Sequence, residues 1–195
     1  MDERLKKQLE FILEIDKEKN IFRQTHLTGH GRNENDAEHA WHMAVMAWLL
    51  SEYSDEKIDV GHVMIMCLVH DLVEIDAGDT YAYDSKGKKT QAEREKKAAD
   101  RIFGILPKDQ EEKLKGLFNE FEENVTAEAR FAHAMDNLQP LLLNDSNGGS
   151  DWKEHGIAVS QVKKRQEKCK GSSAVLFDEI MRIIEKNHKA GNLKD

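Results

Sequence analysis

Apolar residues recur at helical spacing along most of the chain. Leu5, Leu9, Ile12 and Leu13 mark one face of a first helix. Ala40, Met43, Ala44, Ala47 and Leu50 mark the inner face of a second, which starts near Asp36 with that residue as its N-cap. Between the two, residues 20–35 are polar and carry Gly29 and Gly31, so an irregular connection is expected. Residues 60–73 are apolar nearly all round, the mark of a buried central helix. The pattern breaks at Ala77-Gly78-Asp79-Thr80. Residues 80–90, with Gly87, Lys86, Lys88 and Lys89, read as an exposed loop. Further helices are predicted over 91–105, 108–123, 126–143, 152–169 and 173–188, with Pro107 at the N1 position of one of them. Residues 144–150, Asn-Asp-Ser-Asn-Gly-Gly-Ser, are the clearest loop. There is no repeat and no long linker, so the expectation is one all-α domain over residues 1–195 with roughly eight helices.

Composition fits that picture. Of 195 residues, 34% are charged and 39% hydrophobic, and only Pro107 and Pro140 break the chain as prolines. A net charge of −8 lacks the footprint of a protein that binds nucleic-acid polymers. A small phosphorylated ligand would need a local cation, either Arg/Lys or a metal. Cys67 and Cys169 lie far apart with no Cys-x-x-Cys and read as reduced thiols of an intracellular protein. The charged, amphipathic N-terminus has no signal-peptide core, and no apolar run approaches the roughly 20 residues of a membrane span. A cytoplasmic protein without a membrane partner is expected.

Chemistry concentrates in three stretches. His70-Asp71 ends the most hydrophobic helix, where an unpaired buried charge would cost several kcal/mol. A divalent cation is one solution, because two successive helical residues subtend about 100° and can close on one ion. Glu74 lies one turn beyond His70 on the same face. His39 falls in the first turn of the helix that begins near Asp36, beside Glu38 and one turn from His42. Asp136 stands on an otherwise apolar helix face among Ala134, Leu138 and Leu141 and also needs a partner. The order is His…His-Asp…Asp on three helices.

In these motifs the chain resembles the HD-domain metal-dependent phosphohydrolases, which take their name from the His-Asp doublet. The likeness runs from about residue 5 to about residue 145, through Ala37-Glu38-His39, His70-Asp71-Leu72-Val73-Glu74 and Gly78-Asp79, and is nearest to the compact 5′-deoxynucleotidase branch. The resemblance implies a helical bundle in which His39, His70, Asp71 and Asp136 ligate one divalent metal ion. It implies that Glu74 and Asp79 act on the water and the leaving group, and that the protein is a homodimer. In that branch an Arg-Trp pair after the first helix contacts phosphate and nucleoside; here Arg23 is present but Gln24 follows it.

A mixed N/O ligand set suits Mn, Co, Fe, Ni, Mg or Zn alike. Arg23 and Arg32 are the candidates for holding a phosphate dianion. His42 and His133 read as supporting or packing residues, since further protein ligands would close the site. Trp41 and Trp48, seven apart on one helix, read as core or dimer contacts. Helices between about 151 and 190 carry apolar faces that cover the core or a partner. P-loop, dinucleotide, metalloprotease and Gly-x-Ser-x-Gly patterns are absent from the sequence. The expected function is metal-dependent hydrolysis of a small phosphomonoester, foremost a (deoxy)nucleoside 5′-monophosphate. The alternatives are a non-catalytic, metal-containing helical module and a hydrolase of another nucleotide phosphate ester.

Overall fold

The structure is a computed structural model that describes residues 2–195. Ten α-helical segments occupy those residues, from α1 (Glu3–Ile15) through α2 (Asp36–Leu50), α3 (Val60–Val69), the short α4 (Glu74–Ala77), α5 (Lys88–Phe103) and α6 (Lys108–Glu123). The set continues with α7 (Ala127–Ser146), α8 (Ser150–His155), α9 (Val159–Gln166) and α10 (Ala174–Lys189). The expected all-α class holds, with one exception. The connection after α1 contains a small antiparallel hairpin, β1 (Phe22–His26) and β2 (Asn33–Asn35), with Phe22 opposite Asn35 and His26 opposite Asn33.

Local chemistry sets the boundaries. Asn35, not Asp36, is the N-cap of α2: its side chain accepts the Glu38 N–H at 2.9 Å while Glu38 Oε2 accepts the Asn35 N–H at 3.2 Å. Asp36 is thereby the first helical residue and is fully buried. Pro107 likewise caps α6 from outside rather than occupying its first helical position. The buried stretch from residue 60 changes geometry at His70, where a 3-10 turn (His70–Val73) leads into α4. Gly78 then ends α4 at φ +73°, a conformation that glycine adopts without strain. The expected helix over 152–169 divides at Gly156, and α7 runs to Ser146, leaving residues 147–149 as the link to α8.

Two apolar clusters meet at this turn. One joins α2, α3, α7 and α10 through Met43, Met66, Phe131, Met135, Ile180 and Ile184. The other joins α5 and α6 to Leu72 and Val73 through Ile102, Phe103 and Phe118. The 3-10 turn crosses from one cluster to the other, which brings His70 and Asp71 to their seam. The C-terminal helices cover the core as expected, through Val162, Leu176 and Ile183. Helix α1 forms as expected; Phe11 is its buried residue, while Leu5, Leu9, Ile12 and Leu13 are exposed. Trp41 and Trp48 also lie outside the core, each more than 60% exposed. Cys67 and Cys169 are buried free thiols. Among the described residues, no helix is long and apolar enough to cross a membrane.

Candidate metal centre

Three helical segments bring the histidines and their carboxylates together. His39 comes from the first turn of α2, His70 from the 3-10 turn, and Asp136 from the middle of α7. The orientation of both rings follows from what their Nδ1 atoms meet. His70 Nδ1 lies 2.9 Å from the Cys67 carbonyl, which can only accept, so Nδ1 carries the proton. His39 Nδ1 lies 2.9 Å from Gln139 Oε1. The Gln139 amide nitrogen donates to Glu34 Oε1 at 2.6 Å and to His42 Nδ1 at 3.1 Å, so its oxygen is the end that faces His39. Both imidazoles therefore direct an Nε2 lone pair toward the same point.

Carboxylates meet them there. His39 Nε2 is 3.3 Å from Asp136 Oδ1 and 4.0 Å from Asp71 Oδ2, and His70 Nε2 is 3.1 Å from Asp71 Oδ1. One donor atom each from His39, His70 and Asp136 falls within 4.8 Å of the others. His70 Nε2 is buried and has no hydrogen-bond partner. Lone pairs of nitrogen facing carboxylate oxygens repel unless a positive charge stands between them. The donor set thus fits a divalent ion, and the four expected ligands, His39, His70, Asp71 and Asp136, are in place to share one. Without an ion, a proton takes that role: burial opposes the His70 imidazolium, yet Asp71 and Asp136 raise it to about 9. For His39, burial and the nearby Arg23 charge prevail and hold the ring down at about 4.

The surroundings also call for positive charge. Glu18, Glu34, Asp36, Asp71 and Glu74 are all buried, with Arg23 on β1 as the guanidinium among them. Arg23 Nη1 donates to Asp71 Oδ2 at 3.0 Å and to Asp36 Oδ1 at 3.4 Å. Burial raises Glu18 to about 8 and Glu34 to about 7, so both stay protonated under mildly acidic conditions. Glu74 is pushed well above the usual carboxyl range by burial and by Asp71, Asp36 and Asp79. Glu74, Asp79 and Asp36 form a second acidic group, with one oxygen from each within 4.8 Å of the others.

Part of this set borders a cavity of about 720 Å³. Arg23, Asp71, Glu74, Asp79 and Asp136 line it, as do His70 and His133. Arg32 does not. It is exposed on the hairpin and pairs with Glu38 through both guanidinium nitrogens, because the chain turns outward after β1 to cap α2. The expectation of Arg32 at the phosphate is corrected accordingly. The cavity lining instead carries Arg165, Lys88, Lys164 and Lys168. Arg165 Nη2 stands 3.9 Å from Asp136 Oδ1, and the three lysines make no ion pair among the described residues. Tyr81, Tyr83 and Trp152 add an aromatic wall, with the two tyrosine rings 5.3 Å apart and edge-on. Of these lining residues only Lys88 stood out in the sequence, as part of the exposed Lys86–Lys89 loop that could reach over the site to steer phosphate. Arg165, Lys164 and Lys168 lie in ordinary solvated charge patterns, and only the fold brings them to the same cavity as Asp136.

Residues 15–175 match the family model described as HD domain, and the chain belongs to that family. Among curated proteins it is 32% identical over 111 residues to human 5′-deoxynucleotidase HDDC2, covering 57% of this chain and 53% of the human protein. It is 31% identical over 109 residues to the Xenopus laevis protein of the same name, covering 56% of this chain and 53% of that protein. The matched region thus spans about half the length of these relatives. A crystal structure of a predicted metal-dependent phosphohydrolase from Magnetospirillum magnetotacticum superposes with a TM-score of 0.94 at 46% identity, covering 98% of this chain and 96% of that one. An HD-domain phosphohydrolase from Listeria innocua shares the fold alone, with a TM-score of 0.58 and 14% identity over 94% of this chain and 82% of that one.

Proposed function

We propose that the protein is a metal-dependent phosphohydrolase that releases phosphate from (deoxy)nucleoside 5′-monophosphates. One observation carries the reading. The His39 and His70 Nε2 lone pairs converge with Asp71 and Asp136 at the edge of a cavity that Arg23, Arg165 and three lysines also line. The resemblance to proteins named 5′-deoxynucleotidase supports the substrate class, and the similarity to a predicted metal-dependent phosphohydrolase supports the reaction class.

His39, His70, Asp71 and Asp136 hold one divalent ion, which when bound lowers the pKa of water and offsets charge on the phosphoryl oxygens. Arg23 lines the cavity and engages its carboxylates through Nη1, and Arg165 lines it beside Asp136, so two guanidinium groups serve the phosphate dianion. Water attacks phosphorus and the bond to the 5′-oxygen breaks. Glu74, kept protonated by burial and by its acidic neighbours, gives its proton to that departing oxygen. Asp79 takes a proton from the attacking water and passes one back to Glu74, which restores both groups. Tyr81, Tyr83 and Trp152 offer the nucleoside an aromatic wall in place of the tryptophan missing beside Arg23.

The chain acts as a homodimer in the cytoplasm. The exposed apolar side chains of α1 (Leu5, Leu9, Ile12, Leu13) and α2 (Trp41, Val45, Trp48, Leu49) support the dimer. The buried free thiols support a reducing compartment.

The test is phosphate release from a panel of nucleoside 5′-monophosphates and sugar phosphates, measured after chelation and again after adding back Mn²⁺, Co²⁺, Mg²⁺ or Zn²⁺. Release that depends on added metal and is fastest with a nucleotide is expected. Turnover that survives exhaustive metal removal would contradict the proposal.

A further inference from the structure

A second group of potential ligands lies apart from the centre just described and shares no residue with it. His26 ends β1, His30 sits in the hairpin connection, and Asp151 is in the first turn of α8. One donor atom from each lies within 4.8 Å of the other two. We propose that these three residues form a site for one transition-metal ion of the zinc class, which fastens the hairpin to the corner between α7 and α8.

The geometry is specific. His26 Nδ1 is 2.8 Å from Asp151 Oδ1, while the backbone N–H of His26 donates to Asp151 Oδ2 at 3.1 Å. The carboxylate is thus anchored by the main chain at Oδ2, while Oδ1 faces the His26 ring and also accepts from Ser150 Oγ at 3.4 Å. The rings of His26 and His30 lie side by side, 4.6 Å apart with a tilt of 33°, and a nitrogen of each falls within 4.8 Å of the other and of an Asp151 oxygen. Ser150 Oγ, 3.1 Å from His30 Nδ1, stands beside them as a neutral fourth donor.

A zinc ion with bonds of about 2.0–2.2 Å holds its ligand atoms roughly 3–3.5 Å apart. To hold the ion, the His26–Asp151 pair at 2.8 Å opens slightly and gives up the proton it shares, and the exposed His30 ring closes in from within 4.8 Å. Two imidazole nitrogens and one carboxylate oxygen select Zn²⁺, Co²⁺ or Ni²⁺ over Ca²⁺ and Mg²⁺, which prefer oxygen alone.

His30 is also held in position. Its backbone adopts φ +54°, in the left-handed region that non-glycine residues seldom occupy. Asn147 secures that conformation, accepting the His30 N–H at 3.0 Å and donating to the Leu27 carbonyl at 3.0 Å. Asp151 is buried and His30 exposed, so an ion reaches the site from solvent on the His30 side. Gln24 and Thr25 on β1, together with Asp151 and Trp152 on α8, line the large cavity, so a metal here stiffens one of its walls.

Equilibrium dialysis of the full chain against Zn²⁺, followed by elemental analysis, tests the assignment. His30→Gln is predicted to bind one equivalent less than the wild type and to lose part of the zinc-induced rise in Tm. Because His30 lies outside the phosphate centre, this variant keeps the wild-type rate of phosphate release under metal conditions that exclude zinc. Asp136→Asn is predicted to retain the equivalent that His30→Gln loses, which separates this site from the HD-type centre. Equal zinc content in the wild type, His30→Gln and the His26→Gln/His30→Gln double variant would overturn the proposal and leave the trio a hydrogen-bonded staple only. The exposed His30 ring makes its single variant informative even if the double variant fails to fold.

Discussion

Gln139 stands between His39 and Glu34, and its amide decides which nitrogen of the histidine faces Asp136 and Asp71. Its oxygen accepts from His39 Nδ1 at 2.9 Å, its nitrogen donates to Glu34 at 2.6 Å, and the side chain is fully buried. Replacement by methionine keeps the volume and removes both bonds. Metal affinity should fall about 10–100-fold, as is usual when the partner of a ligating histidine is lost. Unfolding free energy should fall by about 1–3 kcal/mol, because Glu34 loses its donor. Competition with a chromogenic chelator measures the first effect and thermal unfolding the second; unchanged metal affinity would show that His39 is not a ligand.

Burial and the nearby Asp71, Asp36 and Asp79 hold Glu74 in its protonated form at the cavity. Glu74→Gln preserves shape and hydrogen-bonding capacity but has no proton to give. Turnover should drop about 10²–10⁴-fold, the usual contribution of a general acid, with metal content and melting temperature close to the wild type. A variant that retains full turnover would remove Glu74 from the mechanism.

Arg165 and Arg32 make opposite predictions. Arg165 lines the cavity 3.9 Å from Asp136, whereas Arg32 is engaged with Glu38 outside it. Arg165→Gln should raise KM about tenfold or more, equivalent to roughly 1.4 kcal/mol of lost phosphate binding. Arg32→Gln should leave both kcat and KM unchanged. Steady-state kinetics on one nucleotide suffices, and the reverse pattern would return the phosphate to the hairpin.

His133 gives a pH signature. Burial against Phe121, whose ring stacks on it at 3.9 Å, lowers its imidazole to about 4, against about 6.5 in an unfolded chain. Between these values the unfolded chain takes up a proton that the folded protein refuses. The contribution is therefore complete above about pH 6.5 and is lost as the pH falls toward 4. Relative to His133→Gln, which keeps a donor for the Phe121 carbonyl, the wild type should lose on the order of 1–3 kcal/mol of stability between pH 7 and pH 4. Parallel stability curves for the two proteins would contradict this.

Much of the centre was legible because metal chemistry restricts residue types. Imidazoles and carboxylates on apolar helix faces, as at His70-Asp71 and Asp136, are too costly to bury without a cation or a proton to share. What supports them was not legible. Gln139 and Glu34 matter only because α7 packs across α2, a relationship that no local pattern encodes. Asp36 reads as an ordinary cap, and only the Asn35–Glu38 capping box turns it inward. The hairpin escaped because Phe22-Arg23-Gln24-Thr25-His26 lacks apolar alternation and its partner strand is three polar residues. The stripe on α1 was rightly read as helical, but periodicity does not reveal whether a face meets the core or remains exposed.

Mechanism, substrate binding and the role of Gln139 all depend on two imidazoles and two carboxylates gripping one ion. Anomalous diffraction from crystals grown with Mn²⁺ or Co²⁺ tests that grip most directly. A peak is expected within about 2.0–2.4 Å of His39 Nε2, His70 Nε2 and an oxygen each of Asp71 and Asp136. A fully loaded crystal with no peak among those four side chains would contradict it.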